Sequence, residues 1–119
     1  FDSCISLKSI TIPENVEKID DIAFGDCKSL ENVNIKNGSI EIGHAAFKSC
    51  ISLKSITIPE SVTSIRQSAF GNCSSLTNIT YKGTKEQWNK IDKSIVSGEV
   101  DWCDSTLKTI TCTDGVITL

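Results

Sequence analysis

No excess of basic charge marks this sequence: 12 Lys and Arg stand against 15 Asp and Glu, for a net charge of −3, with the two signs interspersed. A nucleic-acid or anionic-membrane surface wants a basic stripe, so neither is expected as a partner. No apolar run approaches the roughly 20 residues of a membrane helix, and no charged-then-apolar leader opens the chain. Membrane insertion is therefore not expected of this piece. Histidine is reduced to His44 alone, and no closely spaced Cys or His set offers a metal its ligands. Glycines occur singly, without a phosphate-cradling loop, and there is no nucleophile elbow.

Titratable groups are equally thin. His44 occupies a position that is Asp21 and Gln67 elsewhere in the pattern described below, which reads as a solvated site. The adjacent Asp20 and Asp21 precede an expected helical turn, where carboxylates favour the dipole, so they read as capping residues. No catalytic constellation, metal or cofactor follows from these residues, and the chain is not read as an enzyme. Its 119 residues suffice for one domain with a continuous core. It begins at Phe1 in mid-pattern, as a piece of something longer would.

What is present is a repeat. FDSCISLKSITIPENVEKIDDIA starts at Phe1, FGDCKSLENVNIKNGSIEIGHAA at Phe24, FKSCISLKSITIPESVTSIRQSA at Phe47 and FGNCSSLTNITYKG at Phe70, each start 23 residues after the last. Apolar residues hold fixed columns: Phe1/Phe24/Phe47/Phe70, Cys4/Cys27/Cys50/Cys73, Leu7/Leu30/Leu53/Leu76, Ile10/Val33/Ile56/Ile79 and Ile12/Ile35/Ile58/Tyr81. Ile19/Ile42/Ile65 and Ala23/Ala46/Ala69 follow. The second unit departs from the others at Lys36–Ser39, where proline is lost.

Ile10 and Ile12 alternate with Ser9 and Thr11, the period-two pattern of a strand with one buried face. Pro13 and Pro59 end that strand, because proline donates nothing to a ladder. The segment after it offers a second inward pair, then a short helical turn with Ala and Phe turned inward. Such a coil has an apolar side and no partner of its own, so only stacking buries it. The expected fold is α/β: a right-handed leucine-rich repeat solenoid with a parallel sheet and short helical turns, in 23-residue units over residues 1–82.

Residues 83–119 read as a C-terminal capping segment of short helix plus strands. Thr84 with Gln87 forms a capping box, and Trp88, Ile91 and Ile95 fall at helical spacing, with Trp88 and Ile91 laid over the last coil. A pocket around Trp88 and Trp102 is the functional alternative to that packing. The runs LKTITC and VITL are joined by Thr113–Asp114–Gly115, a hairpin signal. Four of the six cysteines form one column and are expected as a reduced, buried row. Cys103 and Cys112 lie outside it, and a disulfide between them and a pair of thiols both stay open. Asn-x-Ser/Thr triplets begin at Asn37, Asn72 and Asn78, of interest only in a eukaryotic secretory setting.

The stretch from Ala46–Phe47 through Cys50, Leu53, Ile56, Ile58 and Pro59 to Val62 and Ile65 resembles the BspA-type leucine-rich repeats, and the tail is similar to the closing segment of bacterial members. That resemblance implies a secreted or surface-attached protein, extracellular or at the cell surface, with adhesion to host matrix or other surface proteins as its work. It transfers no binding residue. From the pattern itself, the candidate contact surface is the outward ribbon Ser9, Thr11, Asn32, Asn34, Ser55, Thr57, Asn78 and Thr80. It holds no aromatic and no Arg, so weak, extended or multivalent protein binding suits it better than one tight contact. The competing expectation is a structural spacer or display stalk of a larger surface protein. Edge-to-edge pairing of two copies at the first coil is a further expectation.

Overall fold

A computed structural model describes residues 4–96 and 99–119, so the Phe1 end of the phenylalanine column lies outside the described residues. In chain order the elements are β1 (Ser9–Ile12), β2 (Lys18–Ile19), β3 (Asn32–Ile35), β4 (Glu41–Ile42), β5 (Ser55–Ile58), β6 (Ser64–Ile65) and β7 (Asn78–Tyr81). After them come α1 (Lys85–Lys90), β8 (Asp92–Lys93), β9 (Ile95–Val96), β10 (Glu99–Val100), β11 (Thr109–Cys112) and β12 (Gly115–Thr118). Parallel pairing stacks β1, β3, β5, β7 and β11 into one sheet, which β12 ends antiparallel; β2, β4, β6 and β8 form a second parallel ladder. The register is that of the repeat: Ile10 faces Val33, Val33 faces Ile56, and Ile19 faces Ile42. The chain is thus a leucine-rich repeat solenoid.

Its interior is the set of columns. Leu30, Leu53 and Leu76 are buried in one row, Val33, Ile56 and Ile79 in another, and Ile42 and Ile65 line the wall beneath the second ladder. Rings of Phe24, Phe47 and Phe70 stack nearly parallel at 5.3 and 5.5 Å. The Cys50 thiol donates to the Phe24 carbonyl and the Cys73 thiol to the Phe47 carbonyl, each at 3.1 Å. Burial pushes the Cys50 thiol up to about 12 and raises that of Cys73 as well, so these two pack as small, protonated, apolar groups.

The third side of each coil winds by hydrogen-bonded turns in place of one continuous helical turn. Ala23, Gly25 and Cys27 donate three residues back, to Asp20, Ile22 and Phe24, while the intervening Ile22, Phe24 and Asp26 donate to His44, Ala46 and Lys48 of the next coil. Left-handed backbone at Ile22 (φ 62°) and Asp26 (φ 58°) turns alternate N–H groups along the stack, and the same two positions recur at Ala45, Ser49, Ser68 and Asn72. A helix would keep those donors to itself; neighbouring coils offering unpaired carbonyls make the alternation possible. Ile22 is the costly member, a half-exposed β-branched residue in that region. Ile22→Gly is expected to raise stability by about 1 kcal/mol, the left-handed penalty less the added chain entropy, as a higher urea midpoint at unchanged slope. A lower midpoint would show that the Ile22 side chain contributes more packing than its backbone costs.

The second coil replaces its missing proline and valine with hydrogen bonds. Without proline, Lys36 donates to the Ile12 carbonyl at 2.9 Å, as Lys82 does to Ile58. Ser39, fully buried where other coils place Val16 and Val62, donates to the Val16 carbonyl at 2.7 Å. Ser61 donates to Ser39 and accepts from the Gly38 N–H. Gly38 has φ 122°, and a Cβ there would collide with the Glu14 carbonyl, so only glycine passes this point.

The closing segment keeps the coil's phase while absorbing insertions. Asp92 pairs with Ser64 and Ile110 with Ile79, so β8 and β11 extend both ladders. The Thr84–Gln87 capping box forms, and α1 ends at Lys90 with Ile91 as its C-cap. Trp88 and Ile91 are buried, as expected of the helix, but Ile95 is not on it: it belongs to the β9–β10 hairpin and is 61% exposed. Helical spacing alone paired Ile95 with Trp88; Ile91 already has extended backbone, which breaks that face.

Candidate binding face

Outward residues of the large sheet form two rows. Ser9, Asn32 and Ser55 follow one another in register, as do Thr11, Asn34 and Thr57, with Thr57 opposite Thr80. All eight ribbon residues lie on this face; Thr57, Asn78 and Thr80 are half-buried and the other five exposed. Side chains alternate across a pleat, so the buried Val33 and Ile56 fix the orientation of the polar residues between them. A shallow hollow of about 300 Å³ runs over Ser9, Thr11, Asn32, Asn34, Ser55 and Thr57.

The rows continue past their expected end. Thr109 faces Asn78 and Thr111 faces Thr80, and both hydroxyls donate to the Asn78 side-chain oxygen, at 2.7 and 3.0 Å. Asn78 is thereby tied down and half-buried, which removes it from easy glycan attachment. The signal was in the sequence: Leu107-Lys108-Thr109-Ile110-Thr111 repeats the Leu7-Lys8-Ser9-Ile10-Thr11 pattern. The spacing from Ser64 to Asp92 exceeds one repeat because α1 intervenes, and that hid the phase.

A larger hollow, of about 780 Å³, lies along the second ladder and includes Lys18, Asp21, Glu41, His44, Arg66 and Asp92. Glu41 is clamped between Lys18 at 3.1 Å and Arg66 at 2.9 Å. Hydrogen bonds from Arg66 and then Lys18 hold its carboxyl below the ordinary range, and Glu41 in turn raises the Lys18 ammonium. The exposed His44 donates its backbone N–H to the Asp21 carboxylate at 2.9 Å, so Asp21 bridges coils rather than capping a helix. Lys18, Glu41 and Arg66 thus form one ion-pair network that ties three successive coils together. Among the described residues no cluster of His, Cys, Asp and Glu could hold a metal, and no helix is long and apolar enough to cross a membrane.

Trp88 and Trp102 are both buried, their rings 5.7 Å apart and edge-on. The hollow of about 460 Å³ beside them is walled by Val100, Leu107, Ile117 and Leu119. Cys103 bridges to Phe70 in the turn ladder, and Cys112 ends β11 opposite Gly115. Both are free thiols in this structure, and burial followed by the nearby Asp104 pushes Cys103 up to about 12.

None of the curated proteins matches the chain. Among solved structures, a leucine rich cell surface protein from Faecalibacterium prausnitzii A2-165 is similar at 27% identity and TM-score 0.43, over 74% of this chain and 36% of that one. This chain thus spans about a third of that protein's length. The family model described as BspA type leucine rich repeat region, in 6 copies, matches residues 1–119. Its copies run through the closing segment, as β8 and β11 do in continuing the two ladders. By its columns, their stacking and this match, the chain belongs to the BspA type leucine rich repeat family.

Proposed function

We propose that this chain is a non-enzymatic protein-binding module of a secreted or cell-surface protein, and that it adheres to host matrix or other surface proteins through the outward ribbon. One observation supports this reading above the others: Ser9, Thr11, Asn32, Asn34, Ser55, Thr57, Asn78 and Thr80 share one uninterrupted sheet face. Leucine-rich repeats are binding scaffolds, and this face offers paired donors and acceptors along the stack without backbone rearrangement. Small side chains leave no deep anchor pocket, so affinity accumulates over many weak contacts.

The second reading, a spacer that displays some other part of a longer protein, is favoured by the absence of Trp, Tyr and Arg from those eight positions. One variant separates the two. Asn32→Asp with Asn34→Asp places two charges on the exposed face without touching the core. Loss of adhesion to a panel of immobilised matrix proteins, with the far-ultraviolet spectrum and urea midpoint unchanged, is expected. Full adhesion by the folded variant would assign this surface to the spacer.

A further inference from the structure

We infer that the segment docking on this face is an extended, acidic polypeptide in polyproline II form, held between two lysine margins; the inference rests on the ribbon reading above. Successive coils place residues 8, 31, 54, 77 and 108 just before the strands, fixed by bonds from Asn32 to the Lys8 carbonyl, Ser55 to Glu31 and Thr109 to Thr77. Three of these are lysines, Lys8, Lys54 and Lys108. At the other strand ends Lys36 and Lys82 are fixed by their bonds to Ile12 and Ile58.

All five lysines are exposed, and among the described residues the ion pairs are made by Lys18, Arg66 and Lys90 instead. Lys36 and Lys82 line one hollow with Asn34 and Thr57, and Lys82 also borders the hollow over the ribbon. The same margins carry Glu14, Glu31, Glu60 and Asp114, so five cations stand against four anions there although the chain as a whole is at −3.

Spacing selects the occupant. On each margin lysines alternate with other residues, so they recur every second coil, about 9.6 Å apart at the usual sheet spacing. The two margins are staggered by one coil. In polyproline II every third residue returns to the same side, after about 9.3 Å, which matches one ammonium per turn. A β-strand returns its side chains after about 6.8 Å and falls out of step. Ser, Thr and Asn between the margins exchange hydrogen bonds with the solvated carbonyl groups that polyproline II leaves unpaired. With no aromatic or Arg on the ribbon, charge carries the attraction, and binding weakens as salt screens it.

The test uses a fluorescent Glu-Pro-Pro repeat peptide and its Gln-Pro-Pro counterpart, titrated with the whole chain at low ionic strength and at about 0.15 M salt. The acidic peptide is expected to bind about tenfold more tightly at low salt, with most of that advantage gone at 0.15 M. Lys54→Glu with Lys82→Glu is expected to weaken it by about tenfold, whereas Lys28→Glu with Lys48→Glu, on the turn side, leaves it unchanged. Lys54→Gln with Lys82→Gln gives the same direction at smaller size and guards against a folding fault in the reversed variant. Equal binding of the two peptides, or equal loss in the turn-side variant, overturns the inference. Binding of a soluble polyuronate in place of the peptide overturns the polypeptide assignment. Adhesion that is lost with Asn32→Asp and Asn34→Asp but indifferent to the lysines overturns the acidic segment and leaves the ribbon reading standing; indifference to both removes both.

Discussion

Phe47→Ala is expected to lower the free energy of unfolding by about 3–5 kcal/mol, against the roughly 5–15 kcal/mol that holds a domain of this kind together. The ring is fully buried and lies between Phe24 and Phe70, with interplanar angles of 6° and 1°. Truncation therefore opens the interfaces with both neighbouring coils at once. A coil in a solenoid has only those two interfaces to hold it, and no distant part of the core takes up the slack. Urea unfolding reports the result in two ways. A fall in midpoint at constant slope means that the stack still unfolds as one body, and a smaller slope means that it has divided at the third coil. Phe47→Leu, which keeps most of the volume, is expected to recover more than half of the loss. A change below about 1 kcal/mol in the alanine variant would show that the phenylalanines do not form a shared row.

That row was legible because a solenoid converts a sequence period directly into a spatial neighbour. Once Phe24, Phe47 and Phe70 recur at one spacing, the pairing register, the buried face and the polar ribbon all follow from strand geometry. The turn side was not legible in the same way. Ala and Phe at short spacing suit a helical turn, and nothing local reveals that Ile22 and Asp26 adopt left-handed backbone to send their donors into the next coil. That choice depends on carbonyls belonging to residues more than 20 positions away. The closing segment was half legible. The capping box and the hairpin turn are short-range signals and both formed, whereas the phase of Leu107-Lys108-Thr109-Ile110-Thr111 was masked by inserted chain. For the candidate face the consequence is concrete: it is longer than the repeat count suggested, by Thr109 and Thr111, and its lysine margin extends to Lys108.

Trp88→Ala bears on the closing coil, and its effect is expected to be local in structure though large in energy, again about 3–5 kcal/mol for that coil. Trp88 is buried on α1 and meets Tyr81 edge-on at 5.2 Å and Trp102 at 5.7 Å, so it joins the last regular coil to the tail. Above its ring, at 5.0 Å, the Lys93 ammonium donates to the Trp88 and Ile91 carbonyls at 2.7 and 3.1 Å, closing the helix end. Burial lowers the Lys93 pKa from its ordinary 10.5, with Asp92 opposing the shift. Between that lowered value and 10.5 the unfolded chain holds more protons than the folded one, so stability contributed at this site rises with pH through the alkaline window. Removing the indole lets water reach the ammonium, and that alkaline rise should flatten as the coil loosens. Amide exchange supplies the spatial readout: β11 and β12 are expected to lose protection while β1 and β3, two or more strands removed from β7 and its Tyr81, keep theirs. Unchanged protection at Thr109–Cys112 would mean that β7 alone holds the tail, through its pairing with β11, and that the indole cluster merely covers an end already fixed by the sheet.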